Sequence, residues 1–237
     1  MRVSIVIPAY NMVNGKYFLQ RNIESILRQT FRDFEIVVTD DSENSEIESW
    51  IDEIFTKYID YAPSQMNIKY YQNGGEHGMA NNTNFAIDKA QGQLIKILYQ
   101  DDYFYDERSL WDIVRHFTNF TQWMVTSCVH TYDGEELFNE HKPYYSESEN
   151  TIGSPSVLTI RREIKERFDP QFSWVLDLDL YKRLFRKYGK PKLLNEINVV
   201  IGVGEHQATN KLSEEVKSNE PQLLKQKYAN SSITAGL

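Results

Sequence analysis

Leu94-Ile95-Lys96-Ile97-Leu98-Tyr99-Gln100-Asp101-Asp102 is the stretch that decides the fold. A short, largely apolar run that ends abruptly in charge reads as a buried central strand. In an open α/β sheet, ligands bind outside the carboxyl ends of such strands. The adjacent carboxylates of Asp101 and Asp102 repel each other and stay ionised only if water, a cation or a basic group compensates them. Hard divalent cations prefer oxygen ligands and bridge carboxylates to substrate phosphates. The pair therefore fits a metal–diphosphate site, and it equally fits a solvated turn that opens the next helix.

On the N-terminal side the chain alternates between two periods. Val3 to Ile7 is a β-branched run stopped by Pro8, and Phe34 to Val38 is a second buried strand ending in Thr39-Asp40-Asp41-Ser42. Helical spacing occupies Phe18 to Gln29, Glu46 to Tyr58 and Asn81 to Ala90, and Ile68 to Tyr71 is a short strand before the turn signal Asn73-Gly74-Gly75. Alternation of this kind predicts a Rossmann-like, mostly parallel sheet flanked by helices.

Beyond residue 105 the rhythm breaks. Leu110 to Phe117 predicts a helix, Trp123 to Val129 a strand, and 133–155 a long polar loop with the character of a lid. Val157 to Ile160 predicts a strand leading into a charged helix over Arg161 to Arg167. Leu178 to Tyr188 is a helix closed by Gly189, Asn198 to Val203 a last apolar strand, and Ser213 to Tyr228 a surface helix broken at Pro221. The small, polar stretch 230–237 reads as a disordered tail.

Composition narrows the function classes. A chain of 237 residues with 41% hydrophobic residues builds one large domain or one domain with a tail. Its net charge of -8 gives no electrostatic footprint for nucleic acid, and an acidic protein that handles phosphates needs a local cation. The single cysteine, Cys128, excludes an intramolecular disulfide and suits a reducing compartment. No signal peptide is recognisable, and no apolar stretch approaches the ~18 residues of a membrane span. A cytoplasmic location is expected, with a peripheral position at the inner membrane face as its variant.

Four segments together resemble an inverting glycosyltransferase of family 2 with the nucleotide-sugar-binding GT-A fold. They are Ser4-Ile5-Val6-Ile7-Pro8-Ala9-Tyr10-Asn11, Ile36-Val37-Val38-Thr39-Asp40-Asp41-Ser42, Gly78 through Asn84-Phe85-Ala86-Ile87 to Gly92, and the strand ending Gln100-Asp101-Asp102. The resemblance implies a nucleotide-sugar-binding half over 1–105, an acceptor and catalytic-base half over 106–212, and a C-terminal helix and tail over 213–237. It implies a UDP-linked donor, a carbohydrate, glycan or lipid-linked glycan acceptor, and Mn²⁺ or Mg²⁺ as cofactor.

By the same resemblance Pro8 and Tyr10 flank the nucleotide and Asp40 meets the nucleobase. Asp102 is the main metal ligand, and Asp101 turns toward the ribose or the metal. His206, in Gly204-Glu205-His206-Gln207, reaches the diphosphate or the metal. Asp177, in Trp174-Val175-Leu176-Asp177-Leu178-Asp179, takes the place of the general base at a helix start, where the dipole favours its charge. Asp179 fits a capping role better. Two positions depart from the family pattern: Tyr99 stands where many members have Asp, and Thr83 where many have Arg.

Other classes fit less well. A dinucleotide oxidoreductase or a nucleotidyltransferase needs a Gly-rich loop after the first strand, where this chain has Pro8-Ala9-Tyr10. A non-catalytic nucleotide- or sugar-binding module of the same fold is the remaining alternative.

Overall fold

The computed structural model describes residues 2–59, 67–146 and 149–229. The N-terminal half follows the predicted alternation: β1 (Val3–Ala9), α1 (Gly15–Leu27), β2 (Phe34–Asp40), α2 (Glu46–Tyr58), β3 (Ile68–Gln72), α3 (Met79–Lys89) and β4 (Leu94–Ile97). Then come β5 (Tyr103–Phe104), α4 (Ser109–His116), β6 (Trp123–Thr131), β7 (Leu137–His141), β8 (Leu158–Arg161), α5 (Leu176–Tyr188), β9 (Lys192–Gly202) and α6 (Glu214–Ala229).

All strands join one sheet, in the order β3-β2-β1-β4-β8-β6-β9-β5, with β7 on β6. The first four run parallel, with Ile5 facing Ile36 and Lys96. β1, β2 and β4 are buried along their whole length and mostly apolar, with Ile5, Ile36 and Ile95 fully buried, whereas β3 at the sheet edge is only partly buried. β8 then runs antiparallel between β4 and β6, which makes the sheet mixed. This arrangement puts the carboxyl ends of β1, β2, β4 and β9 on one side of the molecule. Among the described residues no helix is long and apolar enough to cross a membrane.

Four sequence expectations are corrected. The long loop contains β7, which pairs with the second half of β6 from Cys128 to Thr131 and leaves Leu137 half exposed. The charged helix over Arg161 to Arg167 does not form. Arg161 ends β8 and binds the Thr118 and Thr121 carbonyls, while Asn84 holds the Phe168 backbone at both N–H and C=O over 2.8 Å, so tertiary anchors extend the segment. β9 starts at Lys192 rather than Asn198, because its first half continues the pairing with β6 across register shifts. α6 runs through Pro221 without a break, fastened on either side by Glu220 and the buried Leu224. The predicted tail at 230–237 lies outside the described residues.

Candidate active site

A cleft of about 420 Å³ opens at the carboxyl edge of the sheet. Pro8 and Tyr10 enter it from the end of β1, Tyr99 to Asp102 from the end of β4, and Ile201 and Gly202 from the end of β9. Trp174 and Asp177 close it from the start of α5, and His206 to Lys211 from the segment before α6.

The acidic loop after β4 is fixed from several sides. Asn22 on α1 donates to the carbonyls of both Tyr99 and Asp102 over 2.8 Å. Gln100 accepts from the Tyr10 N–H at 3.0 Å and donates to the Gly15 carbonyl. Gly202 donates its N–H to Asp102 Oδ1 over 2.9 Å, and a Cβ at that position would stand 2.5 Å from the Asp101 carbonyl oxygen. Only glycine allows β9 to approach the loop so closely.

Asp101 and Asp102 play different parts. Asp102 is almost wholly buried, and its carboxyl is pushed well above the usual range, first by burial and then by the neighbouring Asp101. Ser156, the Gly202 N–H and Arg21 oppose that shift. Beneath it lies Lys96, fully buried on β4 with its ammonium on the Ser156 carbonyl. Burial pulls this lysine down to about 7, against the pull of Asp102.

Asp101 turns its carboxylate to His206, with Nε2 3.2 Å from Oδ2. The approach is out of line for a hydrogen bond, so His206 Nε2 is buried with no hydrogen-bond partner among the described residues. The ring packs on Phe18 with centroids 4.4 Å apart. Asp102, expected as the principal cation ligand, also lines the cleft; one of its oxygens accepts from the Gly202 N–H, while Asp101 and His206 face each other at the cleft wall.

Asp40, expected to meet the nucleobase, is not among the residues that line the cleft. Asp40 is completely buried, accepting from the Ser42 N–H and the Tyr70 hydroxyl, each over 2.8 Å. Its neighbour Asp41 points the other way and lines the cleft. Asp41 also caps α3, accepting from the Gly78 N–H at 2.8 Å and from Asn73 at 2.7 Å. Beside it Asn82 lines the cleft with a buried Oδ1 that has no hydrogen-bond partner among the described residues. Tyr10 stands half-buried at the mouth, its hydroxyl 3.2 Å from Lys211 Nζ and its ring 5.1 Å from the same ammonium. Thr83 and Tyr99, the two departures from the family pattern, are neighbours with hydroxyls 3.5 Å apart.

On the opposite wall Asp177 occupies the first turn of α5. Its carboxylate accepts from Asn150 at 2.6 Å and from the Leu178 N–H at 2.7 Å. Burial raises its pKa to about 7 despite those donors, the reverse of the dipole argument made from sequence. Asp179, two residues on, is fully buried and bound by Arg183, Lys227 and Tyr228 at 2.6–2.8 Å. The segment expected to be a lid packs onto α5, with Tyr145 stacked on Phe185 at 3.9 Å and Gly153 accepting from Tyr181.

The sequence profile of Glycosyl transferase family 2 matches residues 4–185, well over half of the chain. This chain belongs to glycosyl transferase family 2. A chondroitin synthase of Pasteurella multocida is 28% identical over 207 residues, which cover 82% of this chain and 20% of that protein. A GalNAc(5)-diNAcBac-PP-undecaprenol beta-1,3-glucosyltransferase of Campylobacter jejuni is 28% identical over 102 residues, covering 43% of this chain and 30% of that one. The chain thus spans well under half the length of these two relatives.

Among solved structures, S. aureus TarS with UDP-GlcNAc superposes with a TM-score of 0.67 at 18% identity, covering 90% of this chain and 62% of that one. The mannosyltransferase PcManGT from Pyrobaculum calidifontis, with GDP-Man and Mn²⁺, gives 0.66 at 17% identity, covering 86% and 57%. The fold of this family 2 chain is GT-A.

Sequence reasoning missed Asp41, Asn22, Asn150 and Lys211. Asn22 and Asn150 belong to no motif quoted for the family; Asp41 was visible only as the twin of Asp40.

Proposed function

We propose that this family 2 chain transfers one sugar, with inversion, from a UDP-linked donor to a carbohydrate, glycan or lipid-linked glycan acceptor. The observation that carries the reading is the cleft itself. Asp177 faces it from α5, and Asp101 with His206 faces it from the opposite wall. A base on one side and an anion-compensating pair on the other suit a displacement at a carbon between them.

The donor side is built from the ends of β1, β2 and β4. Tyr10 offers a ring face to a uracil, and Asp41 and the unpartnered Asn82 Oδ1 offer acceptors to a ring N–H or ribose hydroxyl. The residues present also fit a divalent cation. The orphaned His206 Nε2 and Asp101 Oδ2 are donors of the right chemistry, and a cation beside them would relieve the Asp101–Asp102 repulsion. Among the described residues no three acidic, His or Cys groups form a closed cage, so phosphate oxygens would complete the shell. Mn²⁺ or Mg²⁺ held there would neutralise charge on the departing diphosphate.

The acceptor hydroxyl sits against Trp174 and Asp177. Its oxygen bonds to the anomeric carbon as the bond from that carbon to the diphosphate oxygen breaks. The hydroxyl proton passes to the Asp177 carboxylate, and the bond electrons leave with UDP. Asn150 holds Asp177 in the orientation that receives the proton.

Competition calorimetry with UDP, dTDP and GDP in the presence of Mn²⁺ tests the donor assignment, and clearly tighter GDP binding would overturn it. Sugar transfer in the same preparation separates the enzyme from a binding module: nucleotide binding with no transfer to any glycan in an acceptor panel would favour the module.

A further inference from the structure

We propose that Glu220, on the C-terminal helix α6, is a positioning residue of the acceptor side of the cleft; this inference rests on the transferase reading above. Glu220 lies outside the region matched to the family, which ends at residue 185. It is 6% exposed, and its carboxylate gathers three successive backbone N–H groups. Oε2 accepts from Ser173, Trp174 and Val175 at 3.0, 2.7 and 3.1 Å, and Oε1 accepts a second time from Ser173 at 2.9 Å.

Those three residues are the run-in to α5. Trp174 lines the cleft, and Asp177 follows one turn later. The backbone here has no sheet ladder to fix it, and consecutive N–H groups converging on one anion form a nest that holds both partners. A second fastening lies further along α6: Lys227 and Tyr228 bind the buried carboxylate of Asp179. Glu220 thus sets the angle at which Trp174 and Asp177 are presented, while Lys227 and Tyr228 seat the helix that carries them. Displacement of a catalytic group by about 1 Å costs on the order of 10²-fold in rate. Among the described residues, the hydrogen bonds of Glu220 go to residues 173–175 and none to the donor side on the ends of β1, β2 and β4.

Glu220→Gln keeps the volume and replaces one acceptor oxygen with an NH₂ that cannot accept. Leu224→Ala, in the same helix, removes buried apolar volume but none of the hydrogen bonds to the 173–175 backbone, and serves as the control for lost stability. Hydrogen–deuterium exchange of the full chain gives a readout independent of activity. Glu220→Gln should raise exchange at Trp174 to Leu178 and leave the stretch Gln100–Asp102 as protected as in the wild type. Unchanged protection at 174–178 would overturn the inference whether or not the protein transfers sugar, and so would equal loss at both stretches.

In a transfer assay well below the melting temperature, kcat should fall about 10–100-fold in Glu220→Gln with UDP affinity unchanged. Leu224→Ala should keep kcat. Equal kcat losses in the two variants would reduce Glu220 to a structural group and contradict the proposal. A wild-type protein that shows no transfer would remove the proposed function and leave the exchange result to decide the positioning claim.

Discussion

Asn150 donates an amide hydrogen to the Asp177 carboxylate over 2.6 Å, reaching across from the segment between β7 and β8 to the first turn of α5. The acid facing the cleft is thereby oriented from outside its own helix. The same surroundings desolvate it, and burial outweighs its hydrogen-bond donors so that its pKa rises to about 7.

This predicts a pH profile. A base acts only when deprotonated, so kcat/KM for transfer should rise with pH through an apparent pKa near 7 and level off above it. Asp177→Asn keeps the shape and removes the proton acceptor. It should retain UDP binding and lose about 10²–10⁴ in kcat. The stability sign runs the other way: a carboxyl with a raised folded pKa destabilises the native state as pH climbs from its ordinary value near 3.8 to about 7. Thermal melts should therefore show Asp177→Asn gaining on the wild type between pH 4 and pH 8. A wild-type rate that is flat from pH 5 to 9 would exclude Asp177 as the titrating base.

Asp179→Asn should behave oppositely. Asp179 is fully buried and bound by Arg183, Lys227 and Tyr228. Removing one partner of a buried charge network costs about 3–5 kcal/mol. Denaturant melts should show that loss, while kcat below the new melting transition stays within a few-fold of the wild type. A stable but inactive Asp179→Asn would move the base by two residues.

Asp101→Asn and His206→Ala should each abolish the Mn²⁺-dependent increment in UDP affinity, measured by calorimetry with and without metal, and leave metal-free binding unaltered. Asp102→Asn keeps an oxygen for the Gly202 N–H and removes a carboxyl whose pKa burial raises, so it should hold its melting temperature at neutral pH and lose less of that increment than Asp101→Asn. The reverse ranking of Asp101 and Asp102 would make Asp102 the principal cation ligand.

Gly202→Ala places a methyl 2.5 Å from the Asp101 carbonyl oxygen, with backbone rather than a flexible side chain in the way. The loop must shift, at a cost of about 1–3 kcal/mol. UDP affinity should fall with it. Unchanged affinity in calorimetry would mean that the loop geometry is not tied to the nucleotide.

Much of this was legible in the sequence for a physical reason. Strands such as Val3–Ile7 and Phe34–Val38 are buried along their whole length, so each appears as an apolar run broken only by Ser4 and Glu35, which are bonded to each other. Exposed or one-sided elements carry weaker marks. β7, Leu-Phe-Asn-Glu-His, is mostly solvent-facing, and its pattern dissolves into the polar loop around it. The segment after Arg161 has helical spacing but is extended by Asn84, a contact 84 residues distant that no local pattern records.

At the site Asp40 and Asp41 are a single step apart and face different surroundings. Successive strand residues face opposite sides, so one position decides between the buried Tyr70–Ser42 pocket and the cleft. Tyr99 and Thr83 read separately as two losses of charge. The structure joins them in one contact, their hydroxyls 3.5 Å apart.

The central claim is single displacement at the anomeric carbon with Asp177 as base. The most direct measurement is NMR of the anomeric proton in the product formed from an α-linked UDP-sugar. The account predicts a β-linked product and none in Asp177→Asn; an α-linked product from the wild type would contradict it.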